Sequence, residues 1–266
     1  MFKKTIKKID NRLLFNIIQT FLKFIRQTKQ KTKTYNKLNK LNSHLKYSRT
    51  EYFNKYENNE ISSLCEKYGS DKGYLDFEKS TPYSWKPHSY SDIYYDLFNH
   101  QKDEIKLVFE CGIGSNDDKI DNNMTSSGKP GASLKVWRDY FVNAMIYGAD
   151  IDKDILFSEE RIKTFYVNQL EKKSIENLWD NINLKNFDVI IDDGLHSYDS
   201  NLNMFLNSYN MLKKNGIYII EDVNIEYLDK LAIELKRFDP IIKTTKHQSR
   251  EWSDLNLNSN LIIIRK

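Results

Sequence analysis

The sequence predicts an α/β domain on an open, mostly parallel sheet, preceded by a helical extension. Three observations carry that expectation. From residue 105 onward, short apolar runs alternate with segments of helical periodicity. At 266 residues, the length suits one large domain with an extension better than two full cores. The charge divides near residue 50: residues 1–50 carry 14 Lys/Arg against the single acid Asp10, whereas the remainder holds 27 basic and 36 acidic groups. Hydrophobic residues at 39% and charged residues at 29% exclude a fibrous or wholly disordered chain.

The extension comes first. Leu14, Ile17, Ile18, Phe21, Leu22 and Ile25 recur at three- and four-residue steps, so an amphipathic helix is expected there. Asn16, Gln19, Thr20 and Lys23 interrupt the apolar run, which makes it too polar for a signal peptide and too short to span a bilayer. The basic residues Lys3, Lys4, Lys7 and Lys8 would suit anionic headgroups, and peripheral membrane contact through residues 1–30 is one reading. Packing of the helix on a partner or on the chain's own body is favoured, since an apolar face does not name its cover. The polar, basic stretch Thr28–Thr50 reads as a linker or frayed helix, which places the extension at residues 1–55 and the folded domain at 56–266.

Within the domain, an aromatic-rich stretch with Tyr83, Trp85, His88, Tyr90 and Tyr94 is read as core or interface in preference to a pocket roof. Strands are expected at Leu107–Cys111, Ala144–Ala149, Thr164–Val167, Phe187–Ile191, Ile217–Ile220, Ile241–Thr244 and Leu261–Ile264. Helices fit at Ala132–Phe141 and Asn201–Leu212. Cys65 and Cys111 are far apart and lie in no CxxC or Cys/His cluster, so neither a disulfide framework nor a zinc site is supported, and a reducing cytoplasm fits. In such a sheet the ligand crevice lies beyond the carboxyl ends of the strands, at the topological switch.

The first strand ends in Glu110-Cys111-Gly112-Ile113-Gly114, where glycines would let the backbone approach a ligand. The dinucleotide pattern G-x-G-x-x-G is broken by Asp117, and a polar insertion runs from Asp117 to Gly131 before the next helix. The second strand ends in Gly148-Ala149-Asp150, which puts a carboxylate where it can accept hydrogen bonds from both ribose hydroxyls. A nucleoside without a large phosphate demand is implied.

VFECGIG, followed by YGADID and FDVIIDDGLH, resembles the class I S-adenosylmethionine (SAM) methyltransferases, over about residues 66–266. DDGLH followed by IIED is similar to the metal-dependent sugar O-methyltransferases of macrolide biosynthesis and to the cephalosporin-hydroxylase-like branch. The upstream YGSDKG and HSYSDIYYDLF, and GASLKVW after the glycines, resemble that branch too, and the chain also resembles methyltransferases of bacterial capsule loci. The resemblance implies a Rossmann-like fold with seven strands, the last antiparallel. It implies that Glu110, Gly112 and Gly114 line the SAM methionine and sugar, that Asp150 receives the ribose, that Asn168 or Gln169 lies near adenine, and that Asp192 sits near the methionyl end. Lys72, Tyr94 and Ser133 are further candidates on the same resemblance.

Asp192-Asp193 and Glu221-Asp222 close two strands. If these strands are neighbours, as the resemblance implies, their ends stand about 5 Å apart and carboxylates from both can converge on one cation. Strand alternation alone permits either member of each pair to do so. The family pattern makes Asp193, Glu221 and Asp222 the metal ligands. Carboxylates without a His pair or Cys favour a hard cation, magnesium first, with manganese or calcium as substitutes. Any one of these acids could equally cap a following helix, but four at two adjoining strand ends are harder to explain that way. His196, three residues after Asp193, is the expected general base, since an imidazole titrates near neutrality. His247, Arg250 and Trp252, before the last strand, read as exposed loop more readily than as an acceptor pocket.

The expectation is therefore a SAM- and metal-dependent O-methyltransferase acting on a sugar hydroxyl of a glycan or capsular polysaccharide precursor, in the cytoplasm or at the inner membrane face. Methylation of a phosphate-derived, phosphoramidate-type group on a surface glycan is an alternative, and a non-catalytic SAM- or glycan-binding scaffold is a rival. The net-acidic body argues against nucleic acid as a partner. A small-molecule or glycan acceptor is expected, and self-association is compatible with the chain.

Overall fold

A computed structural model of the chain describes residues 59–73, 87–244 and 259–266, together with the backbone of Tyr47–Arg49. The expected helix at 14–25, the aromatics Tyr83 and Trp85, and His247, Arg250 and Trp252 lie outside the described residues.

In chain order the elements are β1 (Tyr47–Arg49), α1 (Glu60–Tyr68), α2 (Tyr90–Phe98), β2 (Leu107–Cys111), α3 (Ala132–Tyr140), β3 (Met145–Asp150), β4 (Ser158–Glu159) and β5 (Ile162–Tyr166). There follow α4 (Lys172–Ile182), β6 (Phe187–Asp192), α5 (Tyr198–Ser208), β7 (Leu212–Ile220), α6 (Leu228–Glu234), β8 (Ile241–Thr244) and β9 (Asn260–Arg265). The strands form one sheet in the order β1-β8-β9-β7-β6-β2-β3-β5-β4. All pairs are parallel except that β9 runs against both β7 and β8, and β4 against β5. The seven expected strands and the antiparallel last strand are thus present in a Rossmann-like sheet.

Two short edge strands were not expected. Ser158 and Glu159 fold back on Lys163 and Ile162 through a tight turn at Arg161, whose φ is 59°. Tyr47–Arg49, read as linker, instead pairs in parallel with Ile242–Thr244. Strands of two or three residues are too short to leave a periodic signature. The helix expected from Asn201 begins earlier, at Tyr198, because Ser197 and Ser200 cap it reciprocally: the Ser200 N–H donates to Ser197 Oγ at 3.2 Å and the Ser197 N–H to Ser200 Oγ at 3.1 Å.

Both faces of the sheet are covered, so the central strands are buried on both sides. On one face the α2 and α3 rings pack together, Tyr94 on Trp137 with centroids 4.8 Å apart and Phe98 on Phe141 at 5.4 Å. On the other face Phe109 meets Trp179 at 4.7 Å, and Phe205 meets Tyr218 at 4.9 Å. Strand alternation explains the division along β2: Phe109 faces Trp179, while its neighbour Glu110 accepts from Trp137 Nε1 at 2.8 Å on the opposite face.

Candidate active site

The strand order reverses at β2, whose neighbours β3 and β6 leave to opposite sides, and a crevice opens at such a switch. Backbone pairing continues one residue past the strand ends. The Gly112 N–H donates to the Ala149 carbonyl at 2.8 Å, Asp193 to Cys111 at 2.8 Å, and Glu221 to Asp192 at 2.9 Å. Gly112, Asp193 and Glu221 consequently stand side by side beneath a cavity of about 680 Å³, the size of a small-molecule site. Of the expected residues, Gly112, Gly114, Asp150, Asn168, Gln169, Asp193, His196, Glu221 and Asp222 border that cavity. Glu110 and Asp192 do not; both are fully buried behind its wall.

The chain's own packing also requires the glycines. Gly112 has φ 85°, and a Cβ there would lie 2.5 Å from the carbonyl carbon of Asp193 and 2.7 Å from Gly194 Cα. Gly114 has φ 87°, and its missing Cβ leaves room for Met124, whose Sδ would be 2.5 Å away. The chain itself fills the space above both glycines, with the loop after β6 and with the polar insertion. That insertion folds back as a wall: Met124 N–H donates to the Ser115 carbonyl at 2.8 Å and Gly131 N–H to Ile113 at 2.7 Å.

Asp150 borders the cavity and also braces the glycine loop, accepting from Ile113 N–H at 2.8 Å and Asp152 N–H at 3.0 Å. Burial pushes its carboxyl upward, opposed by these backbone bonds. Gln169, implied near adenine, borders the cavity with both ends of its amide committed: Nε2 donates to Asp192 Oδ1 at 2.6 Å and Oε1 accepts from Leu195 N–H at 2.8 Å. Asn168 likewise turns to the start of α4, donating to Glu171 Oε1 at 2.9 Å. Exposed Ile151 and Leu170, unmarked by the sequence, give the cavity apolar wall beside them.

Asp192, implied to sit near the methionyl end of the cofactor, is held by two side-chain amides of the chain itself. It lies within β6, facing Gln169 and Asn201, whose Nδ2 donates to Asp192 Oδ2 at 3.1 Å. Burial pushes its carboxyl up to about 6 against these two hydrogen bonds. Glu110, implied to line the same cofactor, is held between Trp137 and Lys72.

Asp193, Glu221 and Glu110 meet one ammonium. Lys72 Nζ lies 2.5 Å from Asp193 Oδ2, 2.7 Å from Glu221 Oε2 and 3.2 Å from Glu110 Oε1. Burial alone would lower the lysine pKa, but Asp193, Glu221 and Glu110 outweigh it and hold the value well above the ordinary lysine range. Gly69, at φ 77°, ends α1 and turns the chain, and Ser91 N–H donates to the Lys72 carbonyl at 2.8 Å, which fixes the lysine's backbone. The Tyr94 hydroxyl donates to Glu221 Oε1 and that of Tyr90 to Asp222 Oδ1. His88 stacks on Tyr90 at 4.4 Å and brings Nε2 to 3.7 Å from Asp222 Oδ1. Lys72 and Tyr94 appeared in the sequence only as lesser candidates, and His88 and Tyr90 as packing.

Asp193, His196 and Asp222 each offer a ligand atom within 4.8 Å of the others, a donor set that fits a small divalent ion. Glu221, the third implied ligand, borders the same cavity, and its two oxygens are engaged by Tyr94 and by Lys72. Burial and then the Asp193 charge push its carboxyl well above the usual range. For Asp222, burial acts upward, but His88, His196 and the Tyr90 hydroxyl outweigh it and the carboxyl is lowered. His196 and Asp222 both hold left-handed backbone, at φ 54° and 50°. His196 Nε2 lies 3.8 Å from Asp193 Oδ1, while its buried Nδ1 has no hydrogen-bond partner among the described residues.

No protein-family model matches the chain. Among curated proteins it is 29% identical over 167 residues to the 8-demethyl-8-alpha-L-rhamnosyl tetracenomycin-C 2'-O-methyltransferase of Streptomyces olivaceus, covering 63% of this chain and 38% of the relative. It is 27% identical over 163 residues to demethylmacrocin O-methyltransferase of Streptomyces fradiae, covering 61% and 39%. The chain thus spans well under half the length of these relatives. Among solved structures, MycE methyltransferase from the mycinamycin biosynthetic pathway, in complex with Mg and SAH, matches with a TM-score of 0.49 at 23% identity, over 65% of this chain and 39% of that one. The likeness seen in VFECGIG, YGADID and FDVIIDDGLH is therefore part of a longer one: the chain resembles the class I SAM-dependent methyltransferases of the metal-dependent sugar O-methyltransferase branch.

Proposed function

We propose that the chain is a SAM- and divalent-metal-dependent O-methyltransferase that modifies a sugar hydroxyl, on a glycan or capsular polysaccharide precursor. One observation carries this reading: Asp193, His196 and Asp222 meet at the wall of the same cavity that Asp150 and the glycine loop border. Asp150 and the apolar side chains of Ile151 and Leu170 would hold the nucleoside of SAM. Asp193 and Asp222 would hold the ion, and Glu221 can join them only by giving up Lys72. Carboxylate donors favour magnesium, with manganese or calcium as substitutes. When bound, SAM supplies an electrophilic methyl carbon and the ion supplies positive charge beside an acceptor oxygen. His196 takes the acceptor's proton at Nε2, and Asp193 Oδ1, 3.8 Å away, stabilises the imidazolium that forms.

The curated relatives are named for methyl transfer to sugar-bearing natural products, which supports the sugar acceptor. Lys119, Asp121, Asn122 and Asn123 border the cavity and give it the hydrogen-bonding wall that a polyhydroxylated ring requires. Lys119 and Lys129 in that wall favour, as a second reading, an acceptor with a phosphate-derived group. Action in the cytoplasm without a nucleic-acid partner is part of this reading, and peripheral membrane contact through residues 1–30 is its less favoured variant. Among the described residues, no helix is long and apolar enough to cross a membrane.

Titration calorimetry with SAM, with magnesium and then with chelator, tests the cofactor. Transfer of labelled methyl to rhamnosides, sugar nucleotides and capsule fragments tests the acceptor. SAM binding in both conditions, with transfer only when magnesium is present, is the expected result. Folded protein that binds no SAM in either condition rejects the reading.

A further inference from the structure

Two of the three implied metal ligands, Asp193 and Glu221, are joined by a cation that belongs to the chain. Lys72 Nζ stands 2.5 Å from Asp193 Oδ2 and 2.7 Å from Glu221 Oε2, and its side chain is 4% exposed. Oxygen ligands surround magnesium at about 2.0–2.1 Å and calcium at about 2.3–2.6 Å. An ion shared by Asp193 and Glu221 would therefore occupy the place of the ammonium, and two cations cannot share it.

We propose that Lys72 is the resident cation of the metal-free site, and that a divalent ion binds by displacing its ammonium from Asp193 and Glu221. The inference rests on the metal reading above and adds to it a built-in competitor. The structure also provides the ammonium's destination. Glu110 Oε1 is fully buried and lies 3.2 Å from Lys72 Nζ, the longest of the ammonium's three carboxylate contacts. A short swing of the lysine's flexible stem would close that contact while the backbone stays pinned by Ser91.

Two consequences follow from charge alone. Without an ion, the ammonium offsets the repulsion among Glu110, Asp193 and Glu221, which would otherwise be buried together uncompensated. A monovalent ion brings no more charge than the ammonium it must expel, so it gains nothing by the exchange. A divalent ion brings twice that charge, and the lysine thereby selects for divalent cations.

The test uses the full chain and needs no acceptor. Magnesium binding is measured by calorimetry, and the Lys72 ammonium is followed by 15N NMR, its resonance identified by its absence from Lys72→Met. The resonance should shift as magnesium saturates the site, and Lys72→Met should bind magnesium at least tenfold more tightly. If Lys72→Met does not fold, Lys72→Arg identifies the resonance instead, and it should bind magnesium more weakly, because the bulkier guanidinium holds both carboxylates in place. Magnesium binding with an unchanged Lys72 resonance overturns the displacement and leaves the metal reading standing. Absence of magnesium and manganese binding to the folded wild-type chain overturns both.

Discussion

The side-chain amide of Asn122 donates to the carbonyl of Leu195 at 2.6 Å, across 73 residues of sequence, and so ties the polar insertion to the residue before His196. The Leu195 N–H is held from the other side by Gln169 at 2.8 Å, which leaves the peptide on the histidine's N-terminal side little freedom. Both Asn122 and His196 have left-handed backbone, a conformation that side-chain-bearing residues keep only when neighbours impose it. Asn122→Ala removes one hydrogen bond, worth about 0.5–1.5 kcal/mol. Methyl transfer should fall about tenfold, the equivalent of ~1.4 kcal/mol, with SAM affinity within about twofold of wild type. Parallel calorimetry and steady-state rates check this; equal losses of binding and turnover would show that the bond serves the cofactor pocket instead.

Gly112 is predicted to be the least tolerant position of the glycine loop. An added Cβ meets backbone atoms of Asp193 and Gly194, which cannot rotate aside as a side chain can, and the φ of 85° is itself strained for alanine. Gly112→Ala should destabilise the fold by about 3 kcal/mol or more. Gly114→Ala meets only the flexible thioether of Met124 and should cost less. Urea unfolding of the two variants gives the order directly.

The strands were legible where apolar runs met clear ends: Leu107–Cys111 and Ile241–Thr244 fall where the sequence puts them. The early part of β7 was not, because Lys213, Lys214 and Asn215 are polar and sit at a shift of register against β6, between the pairings Phe187 with Leu212 and Val189 with Ile217. Asp193 and Asp222 were legible because motif acids that follow strand ends are delivered to one crevice by topology alone. Strand alternation alone did not separate Asp192 from Asp193, and only the family pattern did; in the structure the last strand residue faces Asn201 and the first loop residue faces the cavity. Lys72 shows the deeper limit. It reaches Asp193 over 121 residues and Glu221 over 149, and nothing in local periodicity tells that the turn after α1 docks on the sheet's carboxyl end.

Asp192 should leave a signature in the pH dependence of stability. Its carboxyl rises from 3.8 to about 6 in the folded chain, chiefly through burial. Between those values the folded state binds the proton more tightly than the unfolded state. This group's contribution is therefore most favourable below about pH 4, declines as pH rises through 6, and is constant above. Asp192→Asn removes the step, so the stability difference between variant and wild type should move in the variant's favour by on the order of 2–3 kcal/mol between pH 4 and pH 7. Urea titrations across that range measure it, and a flat difference would show that Asp192 does not carry the buried proton.

The roles of His196 and Asp222 can be separated, although both offer atoms to the same cluster. A base is needed for turnover but not for holding the ion, whereas a ligand is needed for both. His196→Ala should therefore lower methyl transfer by about 10²–10⁴ while manganese affinity, read from the electron paramagnetic resonance of the free ion, stays within about threefold. Asp222→Asn should weaken manganese binding at least tenfold and leave SAM binding intact, because the cofactor's proposed contacts at Asp150, Ile151 and Leu170 lie on other loops. If His196→Ala weakens manganese as much as Asp222→Asn does, the imidazole is a ligand, and the proton must leave by another group.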